Sequence, residues 1–259
     1  MIMSLRILLR VLGLVLHVLL GIVLGILLLP GQLGVARKAQ VRVRNGTVRW
    51  WLRVVGRLLG VRVFVCGEPV TEPALLVANH ISWIDIIALA EIASADFVAK
   101  QEVRDWPLFG WLTRVSGTLF VRRGDFGAAR ILQARMERRL AAGRSLILFP
   151  EGTTSDAIAP RPFKSRLFQA AIRTNVLVQP VAISYPGSGA ERQRAAFVGD
   201  QSLLENLWPL LGQRSLSLTI RCMPPISASG AQSRALARDA WVSVCEGIDA
   251  PVASVVQAA

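Results

Sequence analysis

The stretch LLVANHISWIDIIALAEI, residues 75–92, decides the fold. Leu75 to Ala78 form an unbroken apolar run, the texture of a strand buried on both faces. Asn79-His80 breaks that run, and the segment from Ser82 onward opens a helix. A turn between a buried strand and a helix is a place where folds commonly present active-site residues. His80 and Asp85 are five positions apart. On one continuous helix, five steps rotate by about 140° beyond a full turn, so the two would not share a face. They meet if His80 sits in the turn and Asp85 in the first helical turn. Asp85 then accepts a hydrogen bond from one imidazole nitrogen, fixes the tautomer and leaves the other nitrogen basic. That is the His-Asp half of a triad without a protein nucleophile, which the substrate would supply, for example as an alcohol. The competing reading is a capping aspartate beside a satisfied core histidine.

Working outward, short β-branched and apolar runs read as further strands. They are Val61 to Cys66, Phe97 to Ala99, Thr118 to Val121, Leu146 to Phe149, Val178 to Ser184 and Leu216 to Cys222. Helical patterns lie between or after them, notably Phe126 to Ala142, Lys164 to Thr174 and Ser233 to Gly247. Alternation of this kind predicts an α/β fold: a mixed, largely parallel sheet flanked by helices on both faces. No internal repeat or low-complexity linker interrupts it. The C-terminal tail is rich in Ala and Val and carries no evident chemistry.

A second polar cluster, Phe149-Pro150-Glu151-Gly152-Thr153-Thr154-Ser155-Asp156, follows directly on a strand. Glycine and small hydroxyl residues there allow close backbone approach and can form an anion-binding nest. Arg122, Arg123 and Lys164 could converge on the same anion. Taken singly, each is as well read as a turn or a solvated edge.

Composition bounds what this sheet is attached to. Of 259 residues, 53% are hydrophobic and 18% charged, and the mean hydropathy is +0.46. Soluble domains are nearer a quarter charged, so disorder is excluded and an ordinary soluble protein is disfavoured. Thirty basic residues against 17 acidic ones give a net charge of +13. Not one acidic residue precedes Glu68, whereas ten arginines and lysines do. Val11 to Leu29 is a 19-residue apolar run broken only by His17 and closed by Pro30-Gly31. At a rise of about 1.5 Å per residue it reaches roughly 29 Å, enough to cross a hydrocarbon core. Arg6 and Arg10 flank one end, and Arg37, Lys38, Arg42 and Arg44 the other, which predicts a cytoplasmic location for the downstream chain. A cleavable signal peptide is disfavoured by the length of the run and the poor cleavage site at Gly34-Val35-Ala36. His17 reads as a packing residue.

Val41 to Gly60 follows as an amphipathic helix. Arg42, Arg49, Arg53 and Arg57 share one face, with Trp50, Trp51, Val54, Val55 and Leu58 in the apolar remainder. Such a helix suits a lipid interface, with packing on the domain body as its rival. The expectation is a two-helix membrane anchor over residues 1–60 and a catalytic domain over 61–259. Cys66, Cys222 and Cys245 are scattered and odd in number, which excludes a disulfide framework. Two histidines exclude a His-rich metal site.

These residues resemble a known family. Asn79-His80-x4-Asp85, Gly117-x2-Phe120-x2-Arg123, Phe149-Pro150-Glu151-Gly152-Thr153 and Val178-x-Pro180-Val181 follow the order and spacing of the four blocks of the glycerolipid acyltransferases, 1-acylglycerol-3-phosphate acyltransferase type. The segment from Lys100 to Trp111 is similar to one that the family carries between its first two blocks. The resemblance covers about Val61 to Ser184, and it implies a glycerol-3-phosphate acyltransferase-like fold. It further implies that His80 is the general base on an acceptor hydroxyl and that Asp85 orients it. Arg123, Glu151 and Gly152 would hold the acceptor, joined by Thr153 and Lys164.

The implied reaction moves an acyl group from acyl-CoA or acyl carrier protein to a lysolipid at the bacterial cytoplasmic membrane. It needs no cofactor or metal. The first acceptor expected is 1-acylglycerol-3-phosphate, giving phosphatidic acid. Two departures point to another. Thr154 stands where the third block often has arginine, and Arg122 where the second often has aspartate. FPEGTTSD followed by Pro162-Phe163-Lys164-Ser165 looks like the branch that acylates lyso-ornithine lipid, whose acceptor lacks a phosphate. A nucleic-acid binder is disfavoured because the charge gathers beside the apolar run without a stacking series of aromatics. A non-catalytic lipid-binding protein would need no His80–Asp85 pair. A serine hydrolase lacks both its Gly-x-Ser-x-Gly elbow and a second histidine in the domain.

Overall fold

The computed structural model describes residues 2–27, 37–121, 126–155, 159–187, 196–197, 202–249 and 256–257. Arg122, Arg123 and Asp156, with the last two leucines of the apolar run, lie outside the described residues. The chain opens with α1 (Ile2–Leu27), α2 (Arg37–Leu59), β1 (Val61–Cys66), β2 (Ala74–Ala78), α3 (Ile84–Ile92) and β3 (Asp96–Lys100). It continues with α4 (Gln101–Arg104), α5 (Phe109–Val115), β4 (Leu119–Val121), α6 (Phe126–Ala141) and β5 (Leu146–Leu148). A 3₁₀ turn (Ser165–Phe168), α7 (Gln169–Thr174), β6 (Leu177–Ser184) and α8 (Leu203–Gly212) follow. The last elements are β7 (Leu216–Cys222), α9 (Ser233–Asp249) and β8 (Val256–Gln257).

The strands form one sheet in the order β4-β3-β5-β2-β6-β7-β1-β8. Every neighbouring pair is parallel except β6–β7 and β1–β8. The sheet is thus mixed and largely parallel, as its alternating sequence implies. β8 is an addition that the sequence reading did not foresee: part of the Ala/Val-rich tail pairs beside Phe64 and Val65.

β2 shows why a run of apolar residues suits the middle of this sheet. Leu75 and Val77 pack with Leu132, Met136 and Leu140 of α6 and with Leu236, Ala240 and Val244 of α9. Ala74, Leu76 and Ala78 face the other way, onto Ile84, Ala88 and Leu89 of α3 and Leu210 of α8. Successive side chains of a strand point to opposite faces, so both sets must be apolar when both faces are covered.

One helix among the described residues is long and apolar enough to cross a membrane, Leu5–Leu27 within α1. It lies along the protein body. Arg10 donates to the carbonyls of Leu211 at 3.0 Å, Gln213 at 2.6 Å and Arg214 at 3.2 Å, capping the C-terminus of α8. Further along, Gly13 meets Leu58, Gly21 meets Trp51 and Gly25 meets Trp111 of α5. Residues 10, 13, 17, 21 and 25 form one stripe at helical spacing, and small residues there let the neighbours approach. Leu8, Leu12, Leu16, Leu19 and Val23 are exposed on the rest of the helix. His17 is a packing residue: its Nε2 lies 3.0 Å from the Trp51 carbonyl, and its ring stacks on that indole at 5.0 Å.

The basic face of α2 departs from the interfacial helix that its pattern suggested. Arg49 donates to the carbonyls of Ala90 at 2.9 Å and Glu91 at 2.8 Å. Arg53 donates to the Glu91 carbonyl at 3.1 Å and pairs with the Glu91 carboxylate at 2.7 Å. The last carbonyls of α3 lack partners within their own helix and carry partial negative charge, so two guanidinium groups are drawn inward. This is the rival packing reading for half of the four-arginine face.

Candidate active site

Parallel neighbours β5, β2 and β6 end on the same side of the sheet, and their C-terminal loops meet there. From β2 comes Asn79-His80, from β5 Phe149 to Ser155, and from β6 Tyr185. Asn79 locks the loop after β2 to β6. Its side chain donates to the Ile183 carbonyl at 2.9 Å and accepts from the Ile183 amide at 2.8 Å.

Asp85 sits in the first turn of α3 with no exposure. Its Oδ2 accepts from the amides of Ile81 at 2.7 Å and Ser82 at 2.9 Å. The same oxygen lies 2.9 Å from His80 Nδ1. Oδ2 is an acceptor, so Nδ1 carries the proton, and Nε2 keeps its lone pair. His80 in turn stacks on Phe149 at 3.9 Å between ring centroids, with 15° between the planes. One edge of the imidazole is held by a carboxylate and one face by a phenyl ring. The side chain remains 17% exposed, enough for a substrate to reach it.

Glu151 is turned inward. Its side chain accepts from the amide of His80 at 2.8 Å and of Arg161 at 2.9 Å, and the residue is 2% exposed. Burial pushes its carboxyl above the usual carboxylate value, against the pull of those two amides and of His80. Gly152 adopts φ +73°, the left-handed region that favours glycine. Lys164 Nζ would lie 2.9 Å from a Cβ at Gly152, so the ammonium passes directly over that backbone. The Lys164 amide also bonds the Pro150 carbonyl at 3.1 Å.

The loops are tied together behind the histidine. Ser155 donates to the His80 carbonyl from its amide at 2.7 Å and its hydroxyl at 3.2 Å. Phe197 donates its amide to the Ile81 carbonyl at 2.9 Å and accepts from the Thr154 hydroxyl. The third block therefore uses Thr154 as a strap, at the position where the resemblance leads one to expect arginine.

His80, Asp85, Glu151, Gly152 and Lys164 are thus brought together, and Thr153 lies in the same turn. Arg123 is outside the described residues. Sequence reasoning missed Tyr185, whose hydroxyl donates to Asp85 Oδ1 at 2.7 Å. The available signal was slight: it is the one tyrosine of the chain, placed one residue beyond a strand end. Chemically, the arrangement offers a partly exposed imidazole whose Nε2 has no hydrogen-bond partner among the described residues, backed by a buried carboxylate. That suits removal of a proton from a bound hydroxyl.

A family model described as Acyltransferase matches residues 62–184. Among curated proteins, the chain is 43% identical over 202 residues to a lyso-ornithine lipid O-acyltransferase of Pseudomonas aeruginosa, covering 78% of each. It is 37% identical over 217 residues to a protein of the same name from Brucella abortus, covering 76% of this chain and 81% of that one. Against a 1-acyl-sn-glycerol-3-phosphate acyltransferase of Neisseria gonorrhoeae, identity is 30% over 176 residues, covering 67% and 69%. The crystal structure of the 1-acyl-sn-glycerophosphate (LPA) acyltransferase PlsC of Thermotoga maritima matches with a TM-score of 0.67 at 23% identity, over 94% of this chain and 93% of that one.

Proposed function

This chain belongs to the acyltransferase family, and from that premise we propose that it transfers a fatty acyl group from a thioester donor to the free hydroxyl of lyso-ornithine lipid. The reaction rests on one observation, the 2.9 Å contact of His80 Nδ1 with a buried Asp85, which leaves Nε2 without a partner among the described residues. Nε2 takes the proton of the acceptor hydroxyl as the oxygen attacks the thioester carbonyl. The tetrahedral intermediate then expels the thiolate, which receives that proton from the imidazolium. Asp85 stabilises the transient imidazolium without taking its proton. Glu151 holds the His80 loop in place through its amide, and Gly152 with Lys164 offers the acceptor headgroup a backbone turn and a cation.

Read from the sequence, 1-acylglycerol-3-phosphate comes first as the acceptor. The greater similarity to lyso-ornithine lipid O-acyltransferases supports the reverse order. So does Thr154, because a hydroxyl bound to a carbonyl adds no charge for a phosphate. Phosphatidic acid formation remains the second reading, favoured by the Lys164 ammonium over Gly152. Acyl-CoA or acyl carrier protein would serve as donor.

Residues 1–60 would hold the enzyme on the cytoplasmic membrane and residues 61–259 carry the chemistry, facing the cytoplasm. Because α1 is fastened to α8, α2 and α5 along its length, we read it as lying in one leaflet with its exposed leucines in lipid.

A vesicle assay offering lyso-ornithine lipid and lysophosphatidic acid in parallel, with each donor, tests these readings. Lyso-ornithine lipid should be acylated with the higher kcat/KM, and His80→Ala should abolish transfer while the protein stays folded and membrane-bound. A preference for lysophosphatidic acid would overturn the acceptor. An active His80→Ala enzyme would overturn the base. Arg123→Ala should lower turnover of the phosphate-bearing acceptor more than that of the other.

A further inference from the structure

We propose that Tyr185 is a positioning residue for catalysis: through Asp85 it sets the charge and orientation of the His80–Asp85 pair. The proposal rests on the reading of His80 as general base and extends it to a side chain that touches neither substrate nor imidazole. Asp85 is a carboxylate without exposure, and it needs donors on both oxygens. Three of its hydrogen bonds, from His80 Nδ1 and the amides of Ile81 and Ser82, converge on Oδ2. Oδ1 receives the Tyr185 hydroxyl at 2.7 Å. Tyr185 is itself 3% exposed, and its hydroxyl is built into the core beyond the reach of bulk water.

The frame that carries the tyrosine is bound to the loop that carries the base. Ile183, two residues before Tyr185, is bonded in both directions to Asn79, the residue before His80. A shift of β6 relative to β2 would therefore move the phenol and the imidazole together. Burial, with Asp85 alongside, also holds the tyrosine hydroxyl well above its ordinary pKa, so it remains a donor throughout the working range. Tyr185 keeps its proton during turnover. Its contribution is to solvate one oxygen of the carboxylate, so that the other keeps its full set of N–H donors, His80 among them.

Removing the hydroxyl has a definite sign. Without a donor on Oδ1, the carboxylate is less well solvated, which favours its protonated form. Its undispersed charge also pulls harder on the imidazolium. Both effects raise the apparent pKa of the coupled pair, so the neutral imidazole needed for catalysis appears only at higher pH.

The test uses the full-length protein in vesicles, with Tyr185→Phe, His80→Ala and the Asp85→Asn background. Tyr185→Phe should lower kcat by about tenfold or more, the size expected for one hydrogen bond to a charged group. KM for the lysolipid should change less than about threefold, because no substrate contact is lost. The acid limb of kcat/KM should move to higher pH. In the Asp85→Asn background the same change should cost much less in kcat, since there is no carboxylate left to solvate. A folded Tyr185→Phe enzyme with unchanged kcat and acid limb would overturn the proposal, as would a lowered Tm with an unmoved pH profile. An equal loss of kcat in both backgrounds would also overturn it. If His80→Ala is inactive while Tyr185→Phe is normal, the tyrosine proposal alone fails. An active His80→Ala enzyme removes the base and the proposal with it.

Discussion

Asparagine at position 85 must put its amide oxygen where Oδ2 now receives three N–H donors. The amide nitrogen then faces the Tyr185 hydroxyl, which can rotate to accept. Loop geometry and the imidazole tautomer survive, and the negative charge does not. Asp85→Asn should therefore lower kcat/KM by about two orders of magnitude through kcat, with the lysolipid KM nearly unchanged. Steady-state kinetics beside a thermal melt checks this. Glu151 makes a prediction of the opposite kind, in stability. Its folded pKa is raised above the ordinary value of 4.5, chiefly by burial. The folded state thus prefers the neutral acid, and the stability this contributes is present at low pH and lost as pH rises through the raised value. Glu151→Gln does not titrate. The Tm of wild type minus that of Glu151→Gln should fall as the pH rises above the ordinary carboxylate value of 4.5. A flat difference would show that the carboxyl is solvated as in the unfolded chain.

At the scale of elements, the clasp of α2 on α3 replaces a lipid-facing arginine stripe with a structural joint. Arg49 bridges two carbonyls through Nε and Nη2, a fork that lysine cannot reproduce. Arg49→Ala should destabilise the folded protein by about 1–2 kcal/mol, and Arg49→Lys should recover only part of it. Unfolding in detergent reads both. α3 carries Asp85 in its first turn and these carbonyls in its last, so the joint also steadies the helix that holds the carboxylate. A second joint lies at Asp96. Arg44 of α2 reaches it at 2.9 Å and Arg139 of α6 at 2.8 Å, with Arg144 alongside. Arginines that the sequence offers as membrane-facing charge are in part spent within the protein.

At the scale of the whole molecule, the exposed leucines of α1 and the net charge of +13 both favour an anionic bilayer, by different physics. At about 1 M salt the screening length is about 3 Å, so attraction of exposed charge to headgroups is suppressed while apolar burial is not. The protein should stay in the membrane pellet through such a wash. Leu12→Glu with Leu16→Glu should release it, both leucines being more than half exposed. Release of the wild-type protein by salt alone would show that charge, rather than α1, carries the attachment.

The sequence by itself determined the strand-turn-helix that delivers His80 and Asp85, the glycine turn at 152, the largely parallel sheet and the apolar first helix. All are written in short-range periodicity and turn chemistry, which a chain displays before it has any neighbours. The tertiary structure alone decided which strands lie side by side. That order places Glu151 against an amide 71 residues away and Tyr185 against a carboxylate 100 residues away. It also turned Arg49 and Arg53 inward, because the carbonyls that attract them exist only where another helix ends. Residues with a polar group and no local partner, such as Glu151, Tyr185 and Arg49, have their roles set by whatever the packed fold brings within hydrogen-bonding distance.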